Sequence, residues 1–141
     1  MDFKEEGFFK ELLGIFKMET GEHIQAMLSG VDDLERHQGT DKQIEVAETV
    51  HRAAHSLKGA ARTIGLTDVE PICQSLETFF SVLKRQKVMF PPDLADTLKK
   101  TVRNLESLLG TLNEDGKVTG DKSELIRQIE DIQNKMVTMA K

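Results

Sequence analysis

Apolar residues recur at three- and four-residue steps along almost the whole chain, which is the spacing of one face of an amphipathic α-helix. The alternation of β-branched and polar residues that marks strands does not occur, and the 141 residues include only three prolines. Long helices are therefore the elements that this chain can form. We predict an all-α fold, an antiparallel up-down four-helix bundle with an additional C-terminal helix.

Turn and cap signals divide this pattern into five helices. The first is predicted from about residue 3 to 36, the second ends near Gly65, and the third continues to about Lys87. The run Pro91-Pro92-Asp93 closes the next connection and starts the fourth helix, which continues to Gly110. Because the connections after the second and third helices are short, helices two, three and four are predicted to be antiparallel neighbours.

A polar segment, residues 113–120, separates the four-helix region from the end of the chain. We therefore assign residues 1–112 to the four-helix bundle and residues 121–141 to the C-terminal helix. That helix is expected either to pack on the bundle or to lead into a linker.

The charge balance excludes several classes of partner. With 24 acidic and 19 basic side chains the net charge is -5, so the field of the whole molecule repels nucleic acids and anionic membranes. No apolar run approaches the roughly 20 residues of a membrane span, and the N-terminal segment is too acidic and polar for a signal peptide. We expect no nucleic-acid partner, no membrane insertion and a cytoplasmic location.

The single cysteine, Cys73, cannot form an internal disulfide bond. Its neighbours Ile72 and Leu76 lie on the apolar side of the third helix. We therefore predict a small core residue.

Three glycines, Gly7, Gly14 and Gly21, lie seven residues apart on the side of the first helix opposite its apolar stripe. Each costs about 1 kcal/mol relative to alanine if the helix runs through it. Three explanations stay open at this point: a break in the helix, a tolerated weakness, or a cover of this face by the last helix.

The second helix carries the most specific pattern, because its apolar and polar residues separate onto two faces. His55 lies opposite the apolar face and is predicted to point into solvent. The apolar face comprises Val46, Val50, Ala53, Leu57, Ala60 and Ile64. The polar face around His55 comprises Glu48, His51, Arg52, Lys58, Gly59 and Arg62. Its histidines and cations favour a surface that binds an anion, although a plain solvated helix face is charged as well.

Gly59 favours the anion-binding interpretation. A glycine within a helix costs about 1 kcal/mol and gains nothing from solvent, so its place one turn after His55 needs a reason. Without a side chain there, the active site of another protein can approach the imidazole closely. Lys58, at the third position after His55, can reach an oxygen of an added phosphoryl group.

An independent argument comes from the hairpin of the second and third helices, whose tip lies near Leu66. Residues equally distant from the tip lie level with each other in an antiparallel pair. The predicted level pairs are His55 with Glu77, Lys58 with Gln74, and Arg62 with Glu70. A Glu77 carboxylate that accepts the Nδ1–H of His55 would leave Nε2 as the free nucleophile. A plain surface salt bridge from Glu77 to Arg52 or Lys58 is the alternative.

The run from residue 55 to 66, HSLKGAARTIGL, resembles the H-x-x-K-G-x-A motif of histidine phosphotransfer domains. Together with the lead-in Arg52-Ala53-Ala54 and the acidic first helix, it is similar to the N-terminal phosphotransfer domain of CheA-type chemotaxis histidine kinases. The likeness extends from about residue 3 to 109.

The resemblance also assigns roles to individual residues. Lys58 and Gly59 match the lysine and glycine of the family motif, and Glu77 matches the third-helix glutamate that contacts the histidine. Gln74 stands where many CheA-type domains carry a further histidine, and Arg62 replaces a smaller residue. The candidate site therefore consists of His55, Glu77 and Lys58, with Gly59, Arg62, Arg52, Gln74 and His51 as further binding residues.

The resemblance implies that His55 accepts a phosphoryl group from the ATP-binding domain of a kinase and passes it to an aspartate of a response-regulator receiver domain. The chain itself would then be a phosphoryl carrier that binds no cofactor, since ATP is held by the partner. The likeness favours the front part of a larger histidine kinase over a freestanding carrier.

Three alternatives remain. His51 shares the face of His55, but Ala54 and His55 occupy the positions where an acceptor needs lysine and glycine. Glu48 and His51 imitate half of a bundle metal site, and the spacing of His51 and His55 suits paired ligands, although no second copy of the motif occurs. The third alternative is a helical docking module without covalent chemistry.

Overall fold

The computed structural model describes residues 3–85, 89 and 91–139. Within these ranges the chain forms five α-helices and no strand, which confirms the all-α prediction. The helices are α1 (Phe3–His37), α2 (Asp41–Thr63), α3 (Glu70–Leu83), α4 (Pro92–Leu109) and α5 (Ser123–Met139). None of them combines the length and the apolar content that crossing a membrane requires, as far as the described residues show.

The turn between α2 and α3 fixes the register of the hairpin that carries the candidate site. Gly65 has a φ of 79°, in the left-handed region that glycine adopts without strain. The amide of Leu66 donates to the Ala61 carbonyl, and that of Gly65 donates to the Arg62 carbonyl. These two bonds form a Schellman motif, which satisfies carbonyls at the end of α2 and reverses the chain. The second helix therefore ends where the sequence predicted.

The third helix is shorter than predicted. It ends at Leu83, and Lys84 is its C-cap residue, so the backbone leaves the helix before the predicted end. The predicted terminal residue, Lys87, lies outside the described residues.

The helices pack around one hydrophobic core. α2 lies against both α1 and α3, and α1 also lies against α4. α5 lies against α3 and α4, whose described Cα atoms approach each other no closer than 8 Å. The direct pairing of the third and fourth helices that their short connection predicted is therefore wrong for the described residues, because α5 packs against both helices instead. On α5, the side chain of Gln128 accepts a hydrogen bond from Asn104 of α4, and the side chain of Gln133 donates a hydrogen bond to Ser75 of α3.

The buried face of α2 differs in part from the predicted one. Ala47, Ala54 and Ala61 are fully buried although the sequence did not place them on the core face. Three residues that were predicted to face the core lie at its edge and are only half-buried: Val46, Ala60 and Ile64. The physical reason is that α2 is enclosed by two helices, and α1 comes so close that a Cβ on Gly30 would collide with Val50. Small side chains therefore fill the additional part of the core face.

The first helix runs without interruption through Gly7, Gly14 and Gly21, so the proposed break is wrong. A Cβ at any of these glycines would meet no atom within 4 Å outside the nearby backbone of its own helix. α5 does not cover this face in the described structure, because it packs against α3 and α4. Of the three explanations, one remains: the first helix tolerates the loss of helix stability at these glycines.

Candidate functional site

His55 projects from α2 with 63% of its side chain exposed. Its Nδ1 atom lies 2.9 Å from Oε1 of Glu77 on α3. Because an ionised carboxylate only accepts hydrogen bonds, this contact favours the tautomer in which Nδ1 carries the proton. No hydrogen bond to Nε2 is found within the described residues. The second ring nitrogen therefore keeps its lone pair and faces solvent.

Glu77 is the half-buried centre of the site, with 13% of its side chain exposed. While Oε1 contacts His55, Oε2 lies 2.7 Å from Nζ of Lys58, whose side chain is 12% exposed. Burial raises the pKa of Glu77, but the contacts with Lys58 and then His55 outweigh burial, so its pKa lies below the ordinary value. Glu77 is therefore a carboxylate at neutral pH.

The level pairs expected from the hairpin are the ones observed. Besides the His55–Glu77 pair, Nζ of Lys58 donates to Oε1 of Gln74 over 2.9 Å. Gln74 in turn donates to Oγ1 of Thr78 over 3.1 Å, which orients its amide. The lysine is thus held against α3 at two points, by a carboxylate and by an oriented amide.

Arg62 forms the third level pair, one turn nearer the hairpin tip. Its Nε and Nη2 atoms lie 2.8 and 2.5 Å from Oε1 of Glu70. The side chain of Arg62 is 65% exposed and remains in reach of a partner protein.

Gly59 lies beside His55 on the exposed face of α2. A Cβ built at this position would meet nothing within 4 Å outside its own helix. The packing of the chain therefore gives no reason for a glycine here. The surface next to the imidazole is open.

His51 lies deeper than the sequence predicted, in the groove between α2 and α3 with 18% of its side chain exposed. Its Nε2 atom is 3.8 Å from Oε1 of Glu77, and its Nδ1 atom is 3.5 Å from Nζ of Lys84. Burial first, and then the nearby Lys84 cation, lower the pKa of His51. Arg52, by contrast, is 70% exposed and has its nearest charge contact with Glu48, at 3.8 Å.

Lys84 is the site residue that the sequence interpretation missed. Its Nζ atom contacts Oε2 of Glu48 at 3.2 Å as well as His51. Glu48 and Lys84 are each eighteen residues from Leu66, so the level-pair rule would have found them if it had been carried further from the tip. Within the described ranges, no three His, Cys, Asp or Glu side chains are arranged to hold a metal ion.

Comparisons with known proteins agree on one family. The family model described as Hpt domain matches residues 11–135. Chemotaxis protein CheA of Bacillus subtilis is 28% identical over 120 residues, which cover 85% of this chain and 17% of that protein. Chemotaxis protein CheA of Listeria monocytogenes is 25% identical over 119 residues, or 84% of this chain and 19% of that protein. The chain thus spans less than a fifth of the length of these relatives, and no solved structure matches it.

Proposed function

This chain belongs to the Hpt domain family and is a histidine phosphotransfer module, and we propose that His55 is the residue that carries its phosphoryl group. One observation carries the assignment: an exposed imidazole has its Nδ1 atom held by a carboxylate while Nε2 is left free. That arrangement prepares Nε2 as a nucleophile.

The proposed chemistry uses three side chains. The lone pair of His55 Nε2 attacks the γ-phosphorus of ATP bound in a kinase domain, the N–P bond forms, and the P–O bond to ADP breaks. The ring then becomes cationic, and the Glu77 carboxylate at Nδ1 stabilises that charge. The ammonium group of Lys58, which lies one turn along the helix, is placed to attract the phosphoryl oxygens.

The second half-reaction runs in the same geometry. A carboxylate oxygen of a receiver-domain aspartate attacks the phosphorus, the N–P bond breaks, and its electron pair returns to Nε2. Gly59 leaves room for the partner active site at this stage. We propose a kinase ATP-binding domain and a response-regulator receiver domain as the partners because the relatives are chemotaxis proteins CheA that are several times longer than this chain.

The assignment is tested by incubating the protein with ATP and the kinase core of the Bacillus subtilis relative, and separately with phosphoramidate as a small phosphodonor. We expect one acid-labile, alkali-stable phosphate per chain from either donor, and its loss in His55→Gln because the accepting nitrogen is removed. Mass spectrometry of the intact protein, kept alkaline, measures the label.

The matched control is His23→Gln on α1, which removes a different histidine and should label like the unaltered protein. Undiminished labelling of His55→Gln would contradict the assignment. Labelling lost from His51→Gln but kept in His55→Gln would transfer the role to His51.

A further inference from the structure

We propose that His51 is a positioning histidine, which steadies the Glu77 carboxylate when it is neutral and competes with His55 for that carboxylate when it is protonated. The inference rests on the proposed function of His55 and concerns the regulation of the same site. Neither Lys84 nor the depth of His51 is part of the motif that first indicated the site.

The neighbours of His51 determine its tautomer. The ammonium group of Lys84 has no lone pair and can only donate, so His51 Nδ1, at 3.5 Å, must be the acceptor. In neutral His51 the proton is then on Nε2. His51 Nε2 lies 3.8 Å from Oε1 of Glu77, and the same oxygen accepts the hydrogen bond from His55 Nδ1. Two imidazole N–H groups from one helix thus converge on one carboxylate oxygen.

Lys84 is held in place for this role. Its Nζ atom lies 3.2 Å from Oε2 of Glu48, one turn before His51 on α2. The charged or titratable groups around His51 are therefore Glu48 and His55 on α2 and Glu77 with Lys84 from α3, together with Arg85 at the cleft. Burial and then the Lys84 cation lower the pKa of His51, and they outweigh the carboxylates of Glu77 and Glu48, which favour its protonation.

Solvent reaches His51 although the side chain is mostly covered. A cleft of about 280 Å³ runs along α3 beside it, and its lining includes His51, Glu77 and Arg85. The cleft gives the ring a route for exchanging protons. His51 can therefore titrate in the folded protein.

Protonation has two consequences at the site. The new Nδ1–H faces the Lys84 ammonium, so the bond between them is lost and the two cations repel each other. The imidazolium is also attracted more strongly to Oε1 of Glu77 and competes there with His55. At low pH the Glu77 carboxylate therefore holds His55 Nδ1 less firmly, and His55 Nε2 is less well prepared as a nucleophile.

The first experiment observes the tautomer directly. In ¹⁵N–¹H correlation spectra of the whole chain at neutral pH, His51 should show the Nε2–H tautomer, and on acidification the ring of His55 should respond where His51 titrates. Lys84→Met should move the His51 titration to higher pH because a nearby cation is removed. A dominant Nδ1–H tautomer of His51, or an unmoved titration in Lys84→Met, would overturn the proposal.

The second experiment measures labelling by phosphoramidate as a function of pH, expressed as the ratio of variant to unaltered protein so that the ionisation of the reagent cancels. In His51→Phe the ratio should rise as the pH falls, because the competing imidazolium is absent. Glu45→Gln, an exposed change on the same helix, should give a constant ratio. A constant ratio for His51→Phe sinks the inference. Absence of label at all pH values would refute the proposed function instead, while the spectra would still report on His51.

Discussion

At the scale of single residues, the site depends on one carboxylate that several donors share. Glu77 contacts His55, Lys58 and, at longer range, His51. A half-buried carboxylate of this kind is stable as an anion because cationic and N–H groups replace the lost water. We therefore expect a change at Glu77 to alter both the stability of the fold and the proposed reactivity of His55.

We predict that Glu77→Gln lowers the free energy of unfolding by about 1–3 kcal/mol at neutral pH, because Lys58 is left against an uncharged amide in a mostly covered position. The folded-state pKa of Glu77 is below its ordinary value, so its stabilising contribution is complete above that ordinary value and is lost as the pH falls through the folded-state pKa. Urea denaturation curves of the two proteins should therefore converge in acid.

The control for this prediction is Glu45→Gln, which alters an exposed ion pair with Lys42 and should change stability little. A difference between Glu77→Gln and the unaltered protein that stays constant from neutral pH down to acid would contradict the role given to the charge.

Gly59 allows stability and transfer to be separated. Since a Cβ would meet nothing, Gly59→Ala should raise the free energy of unfolding by about 0.5–1 kcal/mol through helix propensity. It should also slow phosphotransfer from the kinase domain, because a methyl group then occupies the approach beside His55. Labelling by the much smaller phosphoramidate should be unaffected.

Gly14→Ala is the matched control, since its Cβ also meets open space but lies on α1, away from the site. It should gain stability and keep transfer unchanged. Transfer as fast in Gly59→Ala as in the unaltered protein would show that Gly59 has no clearance role.

The residues of the site were predictable from sequence to different degrees. His55 and Glu77 could be placed because helical period and hairpin symmetry depend on spacing alone. The depth of His51 could not, because it depends on how closely two helix axes approach and on which long side chain fills the groove. The pairing of Lys84 with Glu48 was within reach of the same hairpin symmetry, but its contact with His51 follows from the depth of that ring.

At the scale of helices, the glycines of α1 divide into two kinds with opposite effects. Gly14→Ala should stabilise the protein by about 1 kcal/mol, whereas Gly30→Ala should destabilise it by about 1–3 kcal/mol because the added methyl group collides with Val50 of α2. Thermal unfolding followed by circular dichroism measures both. The same sign for both variants would contradict the close approach of α1 and α2.

Helix boundaries and faces illustrate what local pattern can and cannot predict. Gly65 ended α2 as expected, since a left-handed residue and two capping bonds stop a helix wherever it packs. The buried positions of Ala47, Ala54 and Ala61 were missed because alanine carries little apolar signal and is buried in α2 by neighbours on two sides. Local pattern identifies the helix, while its neighbours decide how much of it is covered.

At the scale of the whole molecule, α5 completes the bundle by lying against α3 and α4. Ile132 is 2% exposed, so Ile132→Ala should cost about 2–4 kcal/mol. The exposed Ile126, at 47%, provides a control on the same helix, and Ile126→Ala should cost far less. Urea unfolding measures both variants, and equally small losses would show that α5 is only loosely attached.

Cys73 is fully buried in α3, between the residues that face the core, and burial raises the pKa of its thiol to about 12. A thiol of this kind is almost entirely protonated at neutral pH, and the thiolate is the form that reacts with peroxides and disulfides. Oxidants therefore reach it after α3 has separated from its neighbours. In the folded domain the Cys73 thiol is therefore protected from oxidants that act on the thiolate.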